Sequence, residues 1–201
     1  MNSKFSARTP FRFSNALAPL FGVVLGLFAL AASAAVVTST WSAATSGNWN
    51  VNSNWTNVPA QGGFPNNGNG GVATYDATIS PLGSPYTVTL NSDVTVEDLL
   101  LNSANATLSQ TSGTLSATGA ITLSAGTYSL AGGTIANSTV NATVPIAFAG
   151  LGSNLSGTLS GVTVSGDLNF PDTFSEGLIT GGTTFTTAHL SGVHSEIGFA
   201  P

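Results

Sequence analysis

Hydrophobic and polar residues alternate in short runs along most of this chain, and each run is followed by Gly, Asn or Ser. Seven runs of three to five residues are Tyr86–Leu90, Val94–Val96, Asp98–Leu101, Ala106–Leu108, Gly113–Leu115, Ala120–Leu123 and Thr127–Leu130. Alternation with a period of two is typical of β-strands, and no segment after residue 34 shows the 3.6-residue period of an apolar helix face. The pattern therefore predicts an all-β protein made of short strands.

The strands also repeat at a regular spacing. Gly followed by Thr occurs at Gly113, Gly126, Gly133, Gly157 and Gly182. The steps from 113 to 133, 157 and 182 are 20, 24 and 25 residues, which is the length of one solenoid coil of three short strands and three turns. We expect residues 86–201 to form a parallel β-helix of about five coils. The alternative is an antiparallel β-sandwich, whose sequence would show longer strands joined by hairpin turns.

The chain divides into three parts by composition. Residues 1–34 have the pattern of a signal peptide: three basic residues, an apolar run, and the small residues Ala32-Ser33-Ala34 before the cleavage point. An uncleaved membrane anchor is the alternative, although Pro19, Gly22 and Gly26 weaken it as a span. Residues 35–85 are rich in Trp, Asn, Gly and Pro and predict an N-terminal cap. Residues 86–201 predict the solenoid repeats, truncated at the C-terminus.

Charge excludes several classes of function. The only basic residues are Lys4, Arg8 and Arg12, so the chain after residue 34 has eight acids and neither Lys nor Arg. Nucleic-acid binding depends on Lys and Arg contacts to phosphates, so no nucleic-acid partner is expected. Cysteine is absent, so stability cannot come from disulfides. Val, Ile, Leu and Thr are frequent, which favours a folded chain over a disordered one.

Several segments of the chain resemble those of a known class of proteins. The Trp/Asn-rich stretch from Trp41 to Pro59, then Ala73-Thr-Tyr-Asp76, and the repeats in 155–168, resemble secreted bacterial β-helix proteins of the autotransporter-passenger type. Such proteins often carry PEP-CTERM sorting tails, but no Pro-Glu-Pro motif follows here. The resemblance implies a right-handed parallel β-helix with a structural or adhesin-like role, secreted or at the cell surface. The partners that we expect are surface polysaccharide or other copies of this chain, and we expect no stable membrane span after signal cleavage.

The Trp/Asn-rich segment is the candidate binding site. If it is extended, Trp49, Val51, Ser53 and Trp55 share one face and three Asn side chains share the other. An indole face beside amides can bind a sugar ring, so a glycan-binding module is the alternative function. The candidate residues are Trp41, Trp49, Trp55, Asn50, Asn52 and Asn54. The competing interpretation, which we favour, is that the Trp side chains plug the first coil as a cap.

Catalytic chemistry finds little support in the sequence. β-Helix lyases need a basic side chain, and this chain has no Lys or Arg after residue 34. Paired carboxylates for a glycosidase are best represented by Asp167, Asp172 and Glu176, which have the sequence context of a surface loop. His189 and His194 alternate faces on a strand, and no Gly-x-Ser-x-Gly motif is present. We expect no enzyme, no catalytic residues and no cofactor.

Metal binding and glycosylation have only weak signals in the sequence. Asp93, Glu97 and Asp98 could supply oxygen ligands to calcium, but the Gly-Gly-x-Gly-x-Asp repeat is missing, so we expect a cluster of acids at a turn and no metal. Sequons begin at Asn54, Asn105, Asn137, Asn141 and Asn154, and in a chain this rich in Asn, Ser and Thr several arise by chance.

Overall fold

The computed structural model describes residues 36–71, 74–152 and 154–201. The predicted signal peptide, residues 1–34, and its cleavage point lie outside these residues. The first nine strands are β1 Val36–Trp41, β2 Gly47–Asn48, β3 Trp55–Val58, β4 Thr74–Ile79, β5 Tyr86–Leu90, β6 Val94–Val96, β7 Asp98–Gln110, β8 Thr114–Ala117 and β9 Ala120–Leu130. The remaining nine are β10 Thr134–Ala136, β11 Thr139–Ala142, β12 Ile146–Phe148, β13 Gly157–Ser160, β14 Thr163–Ser165, β15 Asp167–Phe170, β16 Glu176–Thr180, β17 Thr187–Leu190 and β18 Glu196–Phe199. Two 3-10 turns cover Asn52–Asn54 and Asn69–Gly71.

Parallel pairing between successive coils produces three ladders. The first ladder contains β1, β4, the N-terminal parts of β7 and β9, then β11 and β14. The second contains β2, β5, the C-terminal parts of β7 and β9, then β12, β15 and β17. The third contains β6, β8, β10, β13, β16 and β18. The fold is a β-solenoid of about 6 turns, which confirms the predicted parallel β-helix over the antiparallel sandwich.

The stack begins before residue 86. Strand β1 pairs in parallel with β4, and β4 pairs in parallel with β7, so strands in the Trp/Asn-rich part of the chain continue the first ladder. Among the described strands, the one antiparallel pairing is that of β3 with β1, where Trp41 is opposite Trp55. Strand β3 therefore covers the edge that β1 presents at the N-terminal end of the stack.

The core consists of columns of apolar side chains, one residue from each coil. In the third ladder the buried column is Val94, Leu115, Ile135, Leu159 and Ile179. In the second ladder it is Val88, Leu108, Tyr128, Ile146 and Leu168. Inward and outward positions alternate along each strand, so residues one coil apart stack directly. A single coil could not bury these side chains, which is why the repeat must be stacked to be stable.

A column of glycines accounts for the Gly-Thr repeat. Thr114, Thr134 and Thr158 are in register, so Gly113, Gly133 and Gly157 occupy equivalent positions one coil apart. Gly133 and Gly157 are buried, and a β-carbon would lie 2.5 Å from Gln110 Nε2 at Gly133 and would overlap Leu130 Cγ at Gly157. The glycine thus makes room for the large side chain at the preceding corner of the coil.

The predicted step from Gly157 to Gly182 is wrong. Gly157 is in register with Gly177, 20 residues further on, and Gly177 has no Thr after it to reveal the repeat. Gly182 has a positive φ of 74° and lies in a turn, and a β-carbon there would have no heavy atom within 4 Å. Loop length between strands varies, so a dipeptide repeat alone does not fix the register.

Strand length also differs from the sequence expectation. The pattern predicts Asp98–Leu101 and Ala106–Leu108 as separate strands, but both lie in β7, which has 13 residues. Strand β9 likewise joins Ala120–Leu123 to Thr127–Leu130 and has 11 residues. Their pairing shifts register between Leu101 and Thr107, which is where the chain turns from the first ladder to the second. The extended strand conformation continues through this corner, although the pairing of β7 with β9 passes from Asn102 directly to Thr107.

Candidate functional site

The three tryptophans meet at the N-terminal end of the stack and are buried. Trp41, Trp49 and Trp55 are 2%, 0% and 6% exposed. The Trp55 ring lies edge-on to both others, with centroid distances of 5.0 Å to Trp41 and 4.7 Å to Trp49. Such edge-to-face pairs are favourable beyond the area they bury. None of the three indoles therefore presents a free ring face to solvent.

Each indole N–H has a backbone acceptor. Trp49 Nε1 donates to Pro65 O at 2.9 Å, and Trp55 Nε1 donates to Trp49 O at 2.7 Å. Trp41 Nε1 donates to Thr45 O at 3.1 Å. A buried indole needs such a partner because an unpaired N–H loses its hydrogen bond to water. These hydrogen bonds hold the three indoles at the end of the stack, where the core of a solenoid needs to be covered.

The expectation of an extended segment between Trp49 and Trp55 is wrong. The chain turns after Trp49 and forms the 3-10 turn Asn52–Asn54, so the two-residue period does not apply. The indoles meet because the turn brings Trp55 back against Trp49. Val51 is 40% exposed and does not join them. A dense run of Asn and Ser is a usable sign of a turn, because these side chains compete for backbone hydrogen bonds.

The Asn side chains of this segment do not form one surface. Asn50 and Asn52 are exposed, whereas Asn54 is half-buried and donates from Nδ2 to Asn48 O at 3.0 Å. Further along, Asn66 Oδ1 accepts from Thr95 N at 2.8 Å, and Asn67 Oδ1 accepts from Tyr75 N at 2.8 Å. The Asn66 amide takes the place of a strand partner for β6, the first strand of the third ladder, and the Asn67 amide binds β4 of the first ladder. Their action as backbone mimics is not expected from the sequence.

A carboxylate that the sequence pattern did not single out lies in the acid cluster. Asp76 is the register partner of Asp98 in the next coil, and Glu97 is adjacent. Asp76 Oδ1 is buried without a hydrogen-bond partner among the described residues. Burial raises the pKa of the Asp76 carboxyl, and the charges of Asp98 and Glu97 raise it further. The spacing of 22 residues between Asp76 and Asp98 is one coil length, and it was the feature of the sequence that could have indicated this pairing.

Three other candidate acids accept hydrogen bonds from backbone N–H groups across coils. Asp93 Oδ1 accepts from Thr114 N at 2.8 Å, and Asp98 Oδ1 accepts from Ala120 N at 2.7 Å. Asp172 Oδ2 accepts from Gly150 N at 3.1 Å. In the part of the chain that the structure describes, no group of three or more His, Asp or Glu side chains is arranged to hold a metal ion. These acids can act as turn caps between coils.

The two histidines have different neighbours. His189 Nε2 lies 3.1 Å from Asp167 Oδ2 on the preceding coil, and both side chains are substantially exposed. His194 stacks on Phe174, with ring centroids 5.1 Å apart. Both residues of this stack have positive φ, 57° and 61°, and they occupy equivalent turns of the last two coils. Neither pair includes a hydroxyl placed for nucleophilic catalysis.

Outward positions of the second ladder carry hydroxyl groups in regular columns. Thr87, Thr107 and Thr127 are in register, and so are Thr89, Ser109 and Ser129. Neighbouring strands are about 4.8 Å apart, and alternate residues on a strand are about 6.8 Å apart. These strands present an uncharged, hydroxyl-bearing surface over three coils.

Comparison with known proteins returns no relative. Neither a protein-family model, nor a curated protein, nor a solved structure matches this chain. Among the described residues, no helix is both long enough and apolar enough to cross a membrane.

Proposed function

We propose that this protein is an extracellular or cell-surface structural solenoid with an adhesin-like role and without catalytic activity. The observation that supports the proposal is a filled interior combined with columns of uncharged hydroxyl side chains on the outer face of the second ladder. A stack of coils provides a long surface in which each coil adds the same outward groups. Surfaces of this kind suit repeated weak contacts rather than the binding of one small molecule.

Export is the second part of the proposal. Residues 1–34 have the basic, apolar and small-residue regions of a signal peptide. The partners that we propose are surface polysaccharide or other copies of this chain. The eight acids and the absence of Lys and Arg after residue 34 make a nucleic-acid partner unfavourable.

Glycan binding through the Trp/Asn-rich segment is not proposed as a second function. Stacking of a sugar on an aromatic ring needs an accessible ring face. All three indoles are buried in the cap, and their N–H groups are hydrogen-bonded to backbone oxygens. Their burial favours the interpretation of Trp41, Trp49 and Trp55 as a cap.

An adhesion assay with matched variants tests the proposal. Beads coated with purified protein are applied to surfaces carrying neutral polysaccharides and to intact cells. The variant Thr107→Glu/Thr127→Glu adds charge to the hydroxyl columns of the second ladder, and Thr122→Glu/Ser165→Glu adds the same charge to the first ladder as a control. We expect adhesion by the wild type and the control and reduced adhesion by the first variant. Beads that bind neither polysaccharide nor cells would contradict the proposal.

A further inference from the structure

The hydroxyl columns of the second ladder form an array that repeats in two perpendicular directions. Three successive coils supply two residues each: Thr87, Thr89, Thr107, Ser109, Thr127 and Ser129. The strands pair over these positions without a shift of register, and the residues between them are buried in the core. The array therefore repeats every 4.8 Å or so along the stack and about every 6.8 Å along each strand.

The hydroxyl groups of this array are free to bind an external ligand. All six side chains are half-buried or exposed. The side-chain hydrogen bonds found among the described residues include none from these six hydroxyls. Hydroxyls at the corners of the coils differ, since Ser103 Oγ donates to Pro81 O at 2.7 Å and Ser138 Oγ donates to Ala136 O at 2.8 Å. The array thus presents unused donors and acceptors at regular intervals.

The array is also uncharged and stiff. The strand segments that carry it, residues 86–90, 106–110 and 126–130, contain no Asp, Glu, Lys or Arg. Four of its six positions are Thr, whose branched β-carbon restricts χ1 and so fixes the direction of the hydroxyl. Binding therefore costs little side-chain entropy, and no charged group holds water in an orientation of its own.

The spacing of the array is close to that of a water lattice. A hydroxyl donates one hydrogen bond and accepts two, so it can replace a water molecule. Tetrahedral hydrogen bonding at an O···O distance of about 2.75 Å places next-nearest oxygens of ice about 4.5 Å apart, and the hexagonal layers repeat perpendicular to this after about 7.3 Å. Over three coils the misfit along the stack sums to about 0.6 Å, close to the roughly 0.5 Å range of O–H···O distances.

We propose that this face of the second ladder binds the surface of ice. The hydroxyl oxygens take lattice positions, and the Thr methyl groups fill the spaces between them. Six weak contacts held in one rigid pattern act together, so the array binds more strongly than any single hydroxyl. The inference goes beyond the proposed function, because it concerns a different ligand of the same face and does not require adhesion to polysaccharide or cells.

The outward columns of the other two ladders are interrupted. In the first ladder they include the register pair Asp76 and Asp98, and also Leu100. In the third ladder Ala136 and Leu178 take positions where neighbouring coils have a hydroxyl. Carboxylates and apolar side chains do not replace lattice water, so these faces serve as internal controls.

Partition between ice and liquid tests the inference. Ice is grown slowly from a dilute solution of the purified protein, and the protein is measured in the melted ice and in the remaining liquid. Thr107→Tyr places a bulky neutral side chain at the centre of the array, and Thr122→Tyr makes the same change at an outward position of the first ladder. We expect the wild type and Thr122→Tyr to enter the ice. Thr107→Tyr should enter at least about tenfold less, the effect of losing one or two hydrogen bonds.

Thr107→Ser keeps the hydroxyl at the same position and should retain most of the partition into ice, and circular dichroism checks that each variant is folded. Exclusion of the wild type from ice, or equal losses in Thr107→Tyr and Thr122→Tyr, would overturn the inference. Exclusion from ice by a protein whose coated beads adhere to polysaccharide or cells would overturn the inference alone. Entry into ice without such adhesion would support the inference and contradict the proposed function.

Discussion

At the scale of single residues, Trp55 closes the N-terminal end of the core. It contacts both other indoles and donates its N–H to Trp49 O, so its removal leaves a cavity and an unpaired carbonyl. We expect Trp55→Ala to lower the free energy of unfolding by about 3–5 kcal/mol. Chemical denaturation followed by circular dichroism measures this change.

Val58→Ala is the matched control for this substitution. Val58 lies on the same strand but is 65% exposed, so its truncation should change stability by at most about 0.5 kcal/mol. If Trp55→Ala left stability intact and abolished binding to a polysaccharide, the cap interpretation would fail. The glycan-binding alternative would then be favoured.

Asp76 predicts a dependence of stability on pH. Its pKa is raised in the folded protein by burial and then by the charges of Asp98 and Glu97. A carboxyl with a raised pKa favours the folded state fully below its unfolded pKa, which is about 3.9. This contribution is lost as the pH rises through the folded-state pKa. Acidification from pH 7 should therefore increase the part of the stability that Asp76 contributes.

The variant Asp76→Asn isolates this contribution. The amide has no charge to bury and none to be repelled by Asp98. The stability of the variant should therefore match or exceed that of the wild type at pH 7, and it should not increase on acidification as that of the wild type does. Urea titrations at a series of pH values measure both effects, with Glu176→Gln as a control on a distant coil. An unchanged pH dependence in Asp76→Asn would show that other carboxyls cause it.

At the scale of secondary-structure elements, inward glycines set how closely the third ladder approaches the second. A β-carbon on Gly177 would lie 2.7 Å from Phe148 Cε1 and 2.8 Å from Phe170 Cε1, two rings already stacked at 4.3 Å. We therefore expect Gly177→Ala to destabilise the protein by about 1–3 kcal/mol through overpacking. Thermal or chemical unfolding measures the change.

Gly62→Ala is the control for that prediction. No heavy atom lies within 4 Å of the position that a β-carbon on Gly62 would take, and its φ is not in the left-handed region. This substitution should be neutral or stabilise by up to about 1 kcal/mol, because it restricts the unfolded chain. Equal stability of Gly177→Ala and Gly62→Ala would mean that the corner is less tightly packed than the structure shows.

The strands illustrate what the sequence could and could not predict. Strands β5 and β6 match their predicted bounds, because each is bordered by turn residues and buries alternate side chains. The corner inside β7 could not be predicted, since the strand conformation continues through residues that resemble a turn in the sequence. The Trp cluster was predicted as a cap. The 3-10 turn that assembles it could not be predicted, because it depends on contacts between the indoles and does not follow a two-residue period.

A buried polar pair gives a second case that the sequence did not reveal. Gln110 occupies an inward position between Leu90 and Leu130 and is fully buried. Its Nε2 donates to Gly113 O and Thr134 O, and its Oε1 accepts from Tyr128 Oη at 2.5 Å. Both polar atoms of the amide are therefore hydrogen-bonded, to the turn that follows and to two other strands, which no local pattern predicts.

At the scale of the whole molecule, export decides where the proposed function can operate. Ala32-Ser33-Ala34 follows the apolar run, so the exported protein should begin at Ala35. N-terminal sequencing of protein recovered from the medium or the cell surface checks this. Protein that begins at Met1, or that is found only in membranes, would contradict cleavage.

The central claim is that residues one coil apart stack in parallel along one axis. Thr114, Thr134, Thr158, Leu178 and Gly198 occupy successive positions in the third ladder. Thr114 and Thr158 are two coils apart, so their backbone positions should lie about 10 Å from each other. Thr114 and Gly198 are four coils apart, so their backbone positions should lie about 19 Å from each other. Spin labels attached to these pairs report the two separations. Electron paramagnetic resonance on labelled protein diluted with unlabelled protein measures these distances. Distances that grow in step with the number of coils are the expected result, and distances that do not increase along this series would contradict the solenoid.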